Sequence, residues 1–357
     1  MNVSKRTLAI AGSGLSAIFT ALTIKSRLDT NIVIFDKARG LGGRLATRRA
    51  ENGKFDHGAQ YFDISTLLDV PEIQTLLDEK IISSNNNSDK FFSPGGMTNI
   101  AKFLLKGFDV KKEHKLLSIS EIGGEYSLNF ENAQSIICND IILSCPMPQT
   151  IEILRNSKIE YDDSEMDTLK KLEYDPCIVI MVKSKNKISE YNKELGNMFA
   201  DQDISWVGDN TLKKVSVEEN FYTVQCSPEF SFKHFDLEYD KTNDLLKKEL
   251  TSIFGKGYEI LSNHKWRYSI PKNYYSNSES LVIKNNNFIG LCGDIFTNGK
   301  FDSILKLSNK PIIDSVITEI SRESLISFLN LTLNKRVVSS PLIANFNESN
   351  LSPLNQK

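Results

Sequence analysis

The feature that most constrains this chain is a pair of glycine clusters in its first sixty residues, each placed directly after a short apolar run. Leu8-Ala9-Ile10-Ala11 leads into Gly12-Ser13-Gly14-Leu15-Ser16-Ala17. Ile32-Val33-Ile34-Phe35 ends in Asp36 and leads into Arg39-Gly40-Leu41-Gly42-Gly43-Arg44. A short apolar run bounded by a glycine turn reads as a buried strand, and the apolar spacing from Leu15 to Ile24 predicts a helix. Strand, tight turn and helix in that order form a phosphate cradle. Gly12 lets the chain turn, Gly14 lets the backbone approach a pyrophosphate, and Ala17 is small enough for helix and strand to close up. The helix N-terminus, with Leu15 and Ser16 in its first turn, then offers N–H groups to phosphate oxygens. Asp36 lies 24 positions after Gly12, where an acid at the end of the second strand accepts from ribose hydroxyls. A lone glycine fingerprint also fits an unrelated strand–turn–helix. The second strand and its acid, in register, favour a dinucleotide.

The second cluster narrows which dinucleotide. A nicotinamide dehydrogenase has no need of another glycine pair so soon after the acid. Here Gly42-Gly43 sits between Arg39 and Arg44, with Lys37 before it and Thr47, Arg48 and Arg49 after it. Glycines permit positive φ, and arginines present fixed, permanently charged forks to phosphate or ribose oxygens. The alternative is a solvated basic loop. A cradle in two parts suits FAD. Its expected contacts are Gly12, Gly14, Leu15, Ser16, Asp36, Lys37, Arg39, Gly43 and Arg44.

The stretches "DKARGLGGRLATRR" (36–49) and "FDHGAQYF" (55–62) resemble the renalase-like branch of the amine-oxidase family of FAD flavoproteins, in its bacterial form. "SPGGMTNIAKFL" (93–104), "HKWRYSIP" (264–271) and "IGLCGD" (289–294) follow in the same order, so the resemblance spans about Thr7 to Asp294. It implies an α/β fold of the amine-oxidase and p-hydroxybenzoate-hydroxylase type: a Rossmann-type FAD-binding domain with a second, mixed-sheet α+β substrate domain. It places His57, Gly58, Ala59 and Gln60, and also Gly96 and Met97, beside the cofactor, and Gly293 and Asp294 near its ribityl chain. It further implies isomeric dihydronicotinamide dinucleotides as the small-molecule substrates, with molecular oxygen as electron acceptor. One departure is plain: after Gly293-Asp294 the family continues into a Glu-opened helix rich in Gly and Ala. This chain reads Ile295-Phe296-Thr297-Asn298-Gly299-Lys300-Phe301-Asp302-Ser303.

The expected organisation is discontinuous. Residues 1–65, 92–158 and 272–340 form the FAD-binding domain, 66–91 and 159–271 the substrate domain, and 341–357 a loosely ordered tail. Helices are expected at Asp69–Ser83, Thr98–Leu105 and Leu237–Phe254. Leu116–Ile122 and Tyr126–Phe130 read as a hairpin turning at Gly123-Gly124. Asp140–Ser144, Cys177–Val182, Phe221–Cys226, Tyr258–Leu261 and Phe288–Leu291 read as further strands. Ser84–Lys90 reads as a polar loop, and Cys145-Pro146-Met147-Pro148 ends its strand sharply.

Charge nearly cancels, 43 basic against 45 acidic residues, which gives no reason to expect nucleic acid as a partner. No apolar run approaches the roughly 18 residues of a membrane span. The N-terminal run is too short for a signal peptide. Five scattered cysteines without metal spacing indicate reduced thiols and a cytoplasmic setting, with monomer and homodimer both open.

Rival chemistries fare poorly. Four dispersed histidines give no metal site, and no Gly-x-Ser-x-Gly elbow is present. Pro271 spoils the helix that a Tyr268/Lys272 dehydrogenase pair requires. Trp266 and Tyr268 share one face of a strand, with Arg267 on the other. That pair, with His57 and Gln60, lines the candidate substrate pocket; core packing is the alternative for each ring. The reading is hydride transfer from a reduced small molecule to the flavin. An amine oxidase or desaturase acting on an amine or apolar substrate, and a non-catalytic flavin-binding protein, stand beside it.

Overall fold

The computed structural model describes residues 5–63, 70–84, 89–188, 195–199, 202–218, 220–278, 280–284 and 287–296. All belong to one unit, Met1–Val316. The expected tail, the segment from Thr297 onward and most of the Ser84–Lys90 loop lie outside the described residues.

The chain opens with β1 (Thr7–Ala11), α1 (Leu15–Arg27) and β2 (Asn31–Asp36), as the apolar runs predict. A helical turn at Gly43–Leu45 precedes β3 (Thr47–Ala50) and β4 (Gly53–Asp56). Then come β5 (Phe62–Asp63), α2 (Pro71–Asp78), β6 (Ser83–Ser84), β7 (Lys90–Phe92) and α3 (Thr98–Leu104). Next are β8 (Asp109–Lys112), the expected hairpin β9 (Leu116–Ile122) and β10 (Glu125–Phe130), β11 (Ser135–Cys138) and β12 (Asp140–Leu143). Two short helices follow, α4 (Met147–Arg155) and α5 (Met166–Leu169). The next strands are β13 (Tyr174–Ser184), β14 (Gly196–Met198), β15 (Ile204–Asp209) and β16 (Phe221–Cys226). After α6 (Pro228–His234) and α7 (Tyr239–Phe254) come β17 (Tyr258–Pro271), β18 (Leu281–Lys284) and β19 (Ile289–Leu291), and a helical turn at Asp294–Phe296 completes the described chain.

The first sheet runs β18-β19-β12-β1-β2-β8. β1 is parallel to β2 and β12, β2 to β8 and β12 to β19; β18 alone is antiparallel to its neighbour. Residues 12–16, 36–44, 144–145 and 292–294 therefore emerge at one edge, the carboxyl ends of the parallel strands. Open α/β sheets hold their ligands at that edge. Ala9, Ala11, Val33, Phe35, Ile141, Leu143, Ile289 and Leu291 bury one face against Ile151 and Leu154 of α4 and the β9–β10 hairpin.

The second sheet runs β14-β15-β16-β13-β17, and every ladder in it is antiparallel. The sequence reading anticipated a mixed sheet here; apolar runs look alike in either strand direction, so only pairing decides. Along β13 the faces alternate. Ile178, Ile180 and Val182 meet Leu246, Leu250 and Phe254, one face of α7, while Met181 meets Phe55 and Phe221 on the other side. Phe55 ends its ring against the edge of Phe221 at 5.5 Å. The β3–β4 hairpin is thus seated on the face of the second sheet opposite the helices, which carries residues 57–60 to that face too.

Candidate functional site

The two glycine clusters form one surface. Gly12, at φ +110°, turns the chain and donates its N–H to the Phe35 carbonyl at 2.7 Å. Gly14 precedes α1 at φ −72° and ψ 175°, with no side-chain cap and no acid in the helix's first turn. A Cβ on Gly14 would meet nothing within 4 Å. The first backbone bond of α1 runs from Ile18 N–H to the Gly14 carbonyl, so the helical ladder begins at Gly14. Ser13 ties the clusters together. Its N–H donates to Asp36 Oδ2 at 3.0 Å, and its hydroxyl donates to the same oxygen. Its carbonyl and Oγ accept the Gly42 N–H at 3.1 and 3.2 Å. Gly43 lies directly over Gly14, where an added Cβ would sit 3.4 Å from the Gly14 Cα. Asp36 is buried, and its second oxygen accepts the Ala38 N–H at 2.8 Å.

The arginines divide. Arg44 donates to Asp294 Oδ2 at 2.6 Å and to the Ser269 carbonyl at 2.7 Å, joining the second cluster to β17 and to the end of β19. Arg48 donates to the Asn263 carbonyl at 2.9 Å and Ser262 Oγ at 3.2 Å, so its fork holds a strand. Arg39 is largely exposed, 3.8 Å from Glu113, and Lys37 is exposed.

The segment Asp56–Gln60 is fixed from several directions. Ala59 N–H donates to the Arg44 carbonyl at 2.8 Å and His57 N–H to the Ala46 carbonyl at 3.2 Å. A Cβ on Gly58 would lie 2.0 Å from the Arg44 carbonyl oxygen, so only glycine fits. Trp266 Nε1 donates to the His57 carbonyl at 2.7 Å, and Gln225 Nε2 to the Gly58 carbonyl at 2.8 Å. The His57 ring stacks on Trp266 at 5.3 Å and meets the edge of His264 at 4.7 Å. Burial, with His264 and Arg48 adding to it, pushes the His57 pKa down to about 3. Burial and Arg48 push that of His264 down to about 4. Both rings are neutral near pH 7. His57 Nδ1 is buried with no hydrogen-bond partner.

Along β17 the register against β13 shifts between Asp175 and Cys177, opposite residues 266–270. Trp266 lies with His57, and Tyr268 meets Tyr174 edge-on at 5.7 Å. Arg267 stacks instead over Phe235, at the end of α6, at 4.3 Å. Of the residues expected beside the cofactor, Met97 is fully buried and its N–H donates to Asp56 Oδ1 at 2.9 Å. Gly96, at φ +122°, lies so close to Thr47 that an added Cβ would sit 2.4 Å from its Oγ1. The neighbouring Gly95 N–H donates to the Lys214 carbonyl at 2.7 Å. The five cysteines are free thiols, and burial pushes those of Cys145 and Cys177 up to about 12. They stay protonated.

Sequence reasoning missed the polar network behind this segment. Asp56 and Lys213 are fully buried and 3.4 Å apart, and Lys213 Nζ donates to Gln60 Oε1 at 2.9 Å. Asn210 accepts the Asp56 N–H at 3.1 Å and donates to Thr223 Oγ1 at 2.9 Å. Lys213 stands in a Lys-Lys pair within a polar stretch, which reads as a solvated loop. The one available signal was Asp56 inside "FDHGAQYF".

Among the described residues no helix is long and apolar enough to cross a membrane, and no group of three His, Cys, Asp or Glu is placed to hold a metal. Residues 10–79 match the family described as the NAD(P)-binding Rossmann-like domain. A protein from Exiguobacterium sp. 255-15, assigned as a protoporphyrinogen oxidase, superposes with a TM-score of 0.63 at 12% identity, covering 88% of this chain and 99% of that one. Wild-type putrescine oxidase bound to putrescine gives 0.62 at 12% identity, over 88% and 99%. This chain shares their fold, a Rossmann-like domain joined to a second, antiparallel sheet. A CLA-producing fatty acid isomerase from P. acnes shares it, with a TM-score of 0.55 at 11% identity over 76% of this chain and 88% of that one. Oxidases and an isomerase on one scaffold mean that the site, not the fold, has to identify the reaction.

The residues present fit a dinucleotide. Gly14 opens onto free space at a helix start without an acid, and the second cluster lies directly beside it.

Proposed function

We propose that this chain binds FAD and is a renalase-like oxidoreductase that oxidises isomeric dihydronicotinamide dinucleotides. The observation that carries the cofactor is the double cradle. Ser13 joins both glycine clusters, and the joined surface leaves the start of α1 open where a pyrophosphate would be received. Gly12, Gly14, Leu15 and Ser16 would hold the phosphates, Asp36 a ribose, and Arg44 with Asp294 the chain between phosphate and ring. The bound flavin supplies a hydride acceptor and a route for two electrons onward to oxygen.

What this chain's own residues supply is position and dryness. His57 and His264 are held neutral, so neither is an imidazolium able to act as general acid near pH 7, and as bases both are weak. A substrate that gives up hydride directly needs neither. Arg44 is paired with Asp294, and Asp36 accepts from Ser13 and Ala38. Two arginines, Arg44 and Arg48, against two carboxylates leave no net charge to select between a dinucleotide and an amine. What favours the dihydronicotinamide is that direct hydride transfer needs no base. The Tyr174–Tyr268 pair is the feature that speaks for an amine or apolar substrate.

The test is the visible spectrum of the purified protein, followed by anaerobic mixing with a mixture of dihydronicotinamide isomers. Flavin bands that bleach within seconds are expected. Bands that stay unchanged with these donors but bleach with amines would transfer the assignment to an amine oxidase. A protein that bleaches with neither would be a flavin binder without turnover, and one that cannot be loaded with FAD would remove the cofactor.

A further inference from the structure

Lys213 is the one lysine whose side chain is fully buried among the described residues, and nothing in the proposed chemistry uses it. It sits between β15 and β16, in a turn that is itself well determined. Asp209 Oδ1 accepts the Thr211 and Leu212 N–H groups at 2.8 and 3.0 Å, and Val215 N–H donates to the Asn210 carbonyl at 2.8 Å. From this turn Lys213 reaches Asp56 Oδ2 and Gln60 Oε1.

Both partners are hubs. Asp56 Oδ1 accepts from Met97 N–H at 2.9 Å and from Thr47 Oγ1 at 2.7 Å. The Gln60 amide, its oxygen held by the ammonium, gives its Nε2 protons to the Asp56 and Gly58 carbonyls at 2.6 and 3.0 Å. The turn makes its own contact as well, since the Lys214 carbonyl takes the Gly95 N–H. Burying an ammonium is costly unless it is paired and hydrogen-bonded. Burial lowers the Lys213 pKa, and Asp56 opposes that. A core that needed only bulk at this place would hold an apolar side chain.

We propose that Lys213 is a positioning residue of the candidate site: through Asp56 and Gln60 it fixes residues 56–60 and 95–97 in one mutual arrangement. They contain residues 57–60 and 96–97, which the family resemblance places beside the cofactor, so the inference rests on the FAD reading for its functional meaning. It acts through other groups and touches no reacting atom.

Two variants test it against the wild-type chain. Lys213→Met removes the ammonium, and Lys213→Met with Asp56→Asn also removes the carboxylate that the single change leaves buried and unpaired. Amide exchange on the folded, ligand-free proteins reads the two segments directly. FAD titration reads the consequence. In both variants the amides of 56–60 and 95–97 should exchange faster while those of α7 do not change. The FAD dissociation constant should rise about 10- to 100-fold, the range found when the groups that orient metal ligands are removed. A filler role would lower the melting temperature yet leave local exchange and FAD affinity of the folded protein as in wild type; that result overturns the proposal. So does failure of both variants to fold, which would make the pair a requirement of the whole fold. If the wild-type chain itself binds no FAD, the functional reading falls, and the exchange data alone decide whether Lys213 fixes the two segments.

Discussion

At the residue scale, Gly14 separates what the fold needs from what a ligand needs. Its backbone angles are open to any residue, and a side chain there meets no protein atom. Gly14→Ala should therefore leave the melting temperature of the ligand-free chain within about 1 °C, and can raise stability slightly by restricting the unfolded chain. The same methyl would occupy the approach to the helix N-terminus, so FAD affinity should fall at least about tenfold, or about 1.4 kcal/mol. Calorimetry and FAD titration on one preparation check both halves; undiminished affinity would place the phosphates elsewhere. The histidine pair makes a second prediction. His57 and His264 have folded pKa values depressed to about 3 and about 4 from 6.5. Unfolding then takes up protons between those values and about 6.5, so stability is lost as pH falls through that window and is flat above it. Each group contributes up to about 1.4 kcal/mol per pH unit there. His57→Gln should reduce the slope of stability against pH between 4 and 6 by about one proton, as measured by urea unfolding. An unchanged slope would show that His57 is protonated in the folded state.

At the element scale, legibility followed periodicity. α1, α7, the β9–β10 hairpin and the parallel strands β1, β2, β12 and β19 carry clean apolar patterns, and the structure has them close to where the sequence places them. α4 did not show. Pro146 and Pro148 read as the end of a strand, but proline at the first turn of a helix is also a start signal, because no intrahelical N–H is lost there. The β3–β4 hairpin was equally hidden. Thr-Arg-Arg-Ala and Gly-Lys-Phe-Asp have no apolar alternation, and the hairpin is stable because Phe55 and Arg48 engage the second sheet. The site was half legible for the same reason: glycine clusters announce themselves, whereas Lys213 and Asn210 acquire meaning from Asp56 and Gln60, over a hundred residues away. β17 allows the alternation to be tested. Trp266→Leu removes the donor to the His57 carbonyl and its stacking partner, and should cost about 2–4 kcal/mol while weakening FAD binding. Arg267→Ala, one position on but on the helix side and exposed, should cost under about 1 kcal/mol and leave FAD affinity unchanged. Equal effects of the two changes on FAD affinity would mean that the site does not lie on the Trp266 face.

Across the whole unit, the candidate site is assembled from segments that are distant in sequence. Residues 12–16, 36–44 and 292–294 come from the edge of the parallel sheet. Residues 56–60 are held by β16, β17 and the Lys213 turn of the antiparallel sheet, and Arg44 bonds to both Asp294 and Ser269. A ligand seated across these segments binds the folded arrangement and not the separate pieces. FAD at about a hundred times its dissociation constant should then stabilise the chain by about 2.7 kcal/mol. The expected rise in melting temperature is about 5 °C for a unit of this size, and it should grow with the logarithm of FAD concentration. Because Arg44 and the Asp56–Lys213 pair tie the two sheets together, the rise should appear as displacement of one cooperative transition. Calorimetry at several FAD concentrations distinguishes the cases. A split into two transitions, only the first of which follows FAD, would show that the antiparallel sheet unfolds on its own and that the polar ties do not couple it to the cradle. A single transition that moves as a whole would mean that the cofactor stabilises both sheets through the site they share.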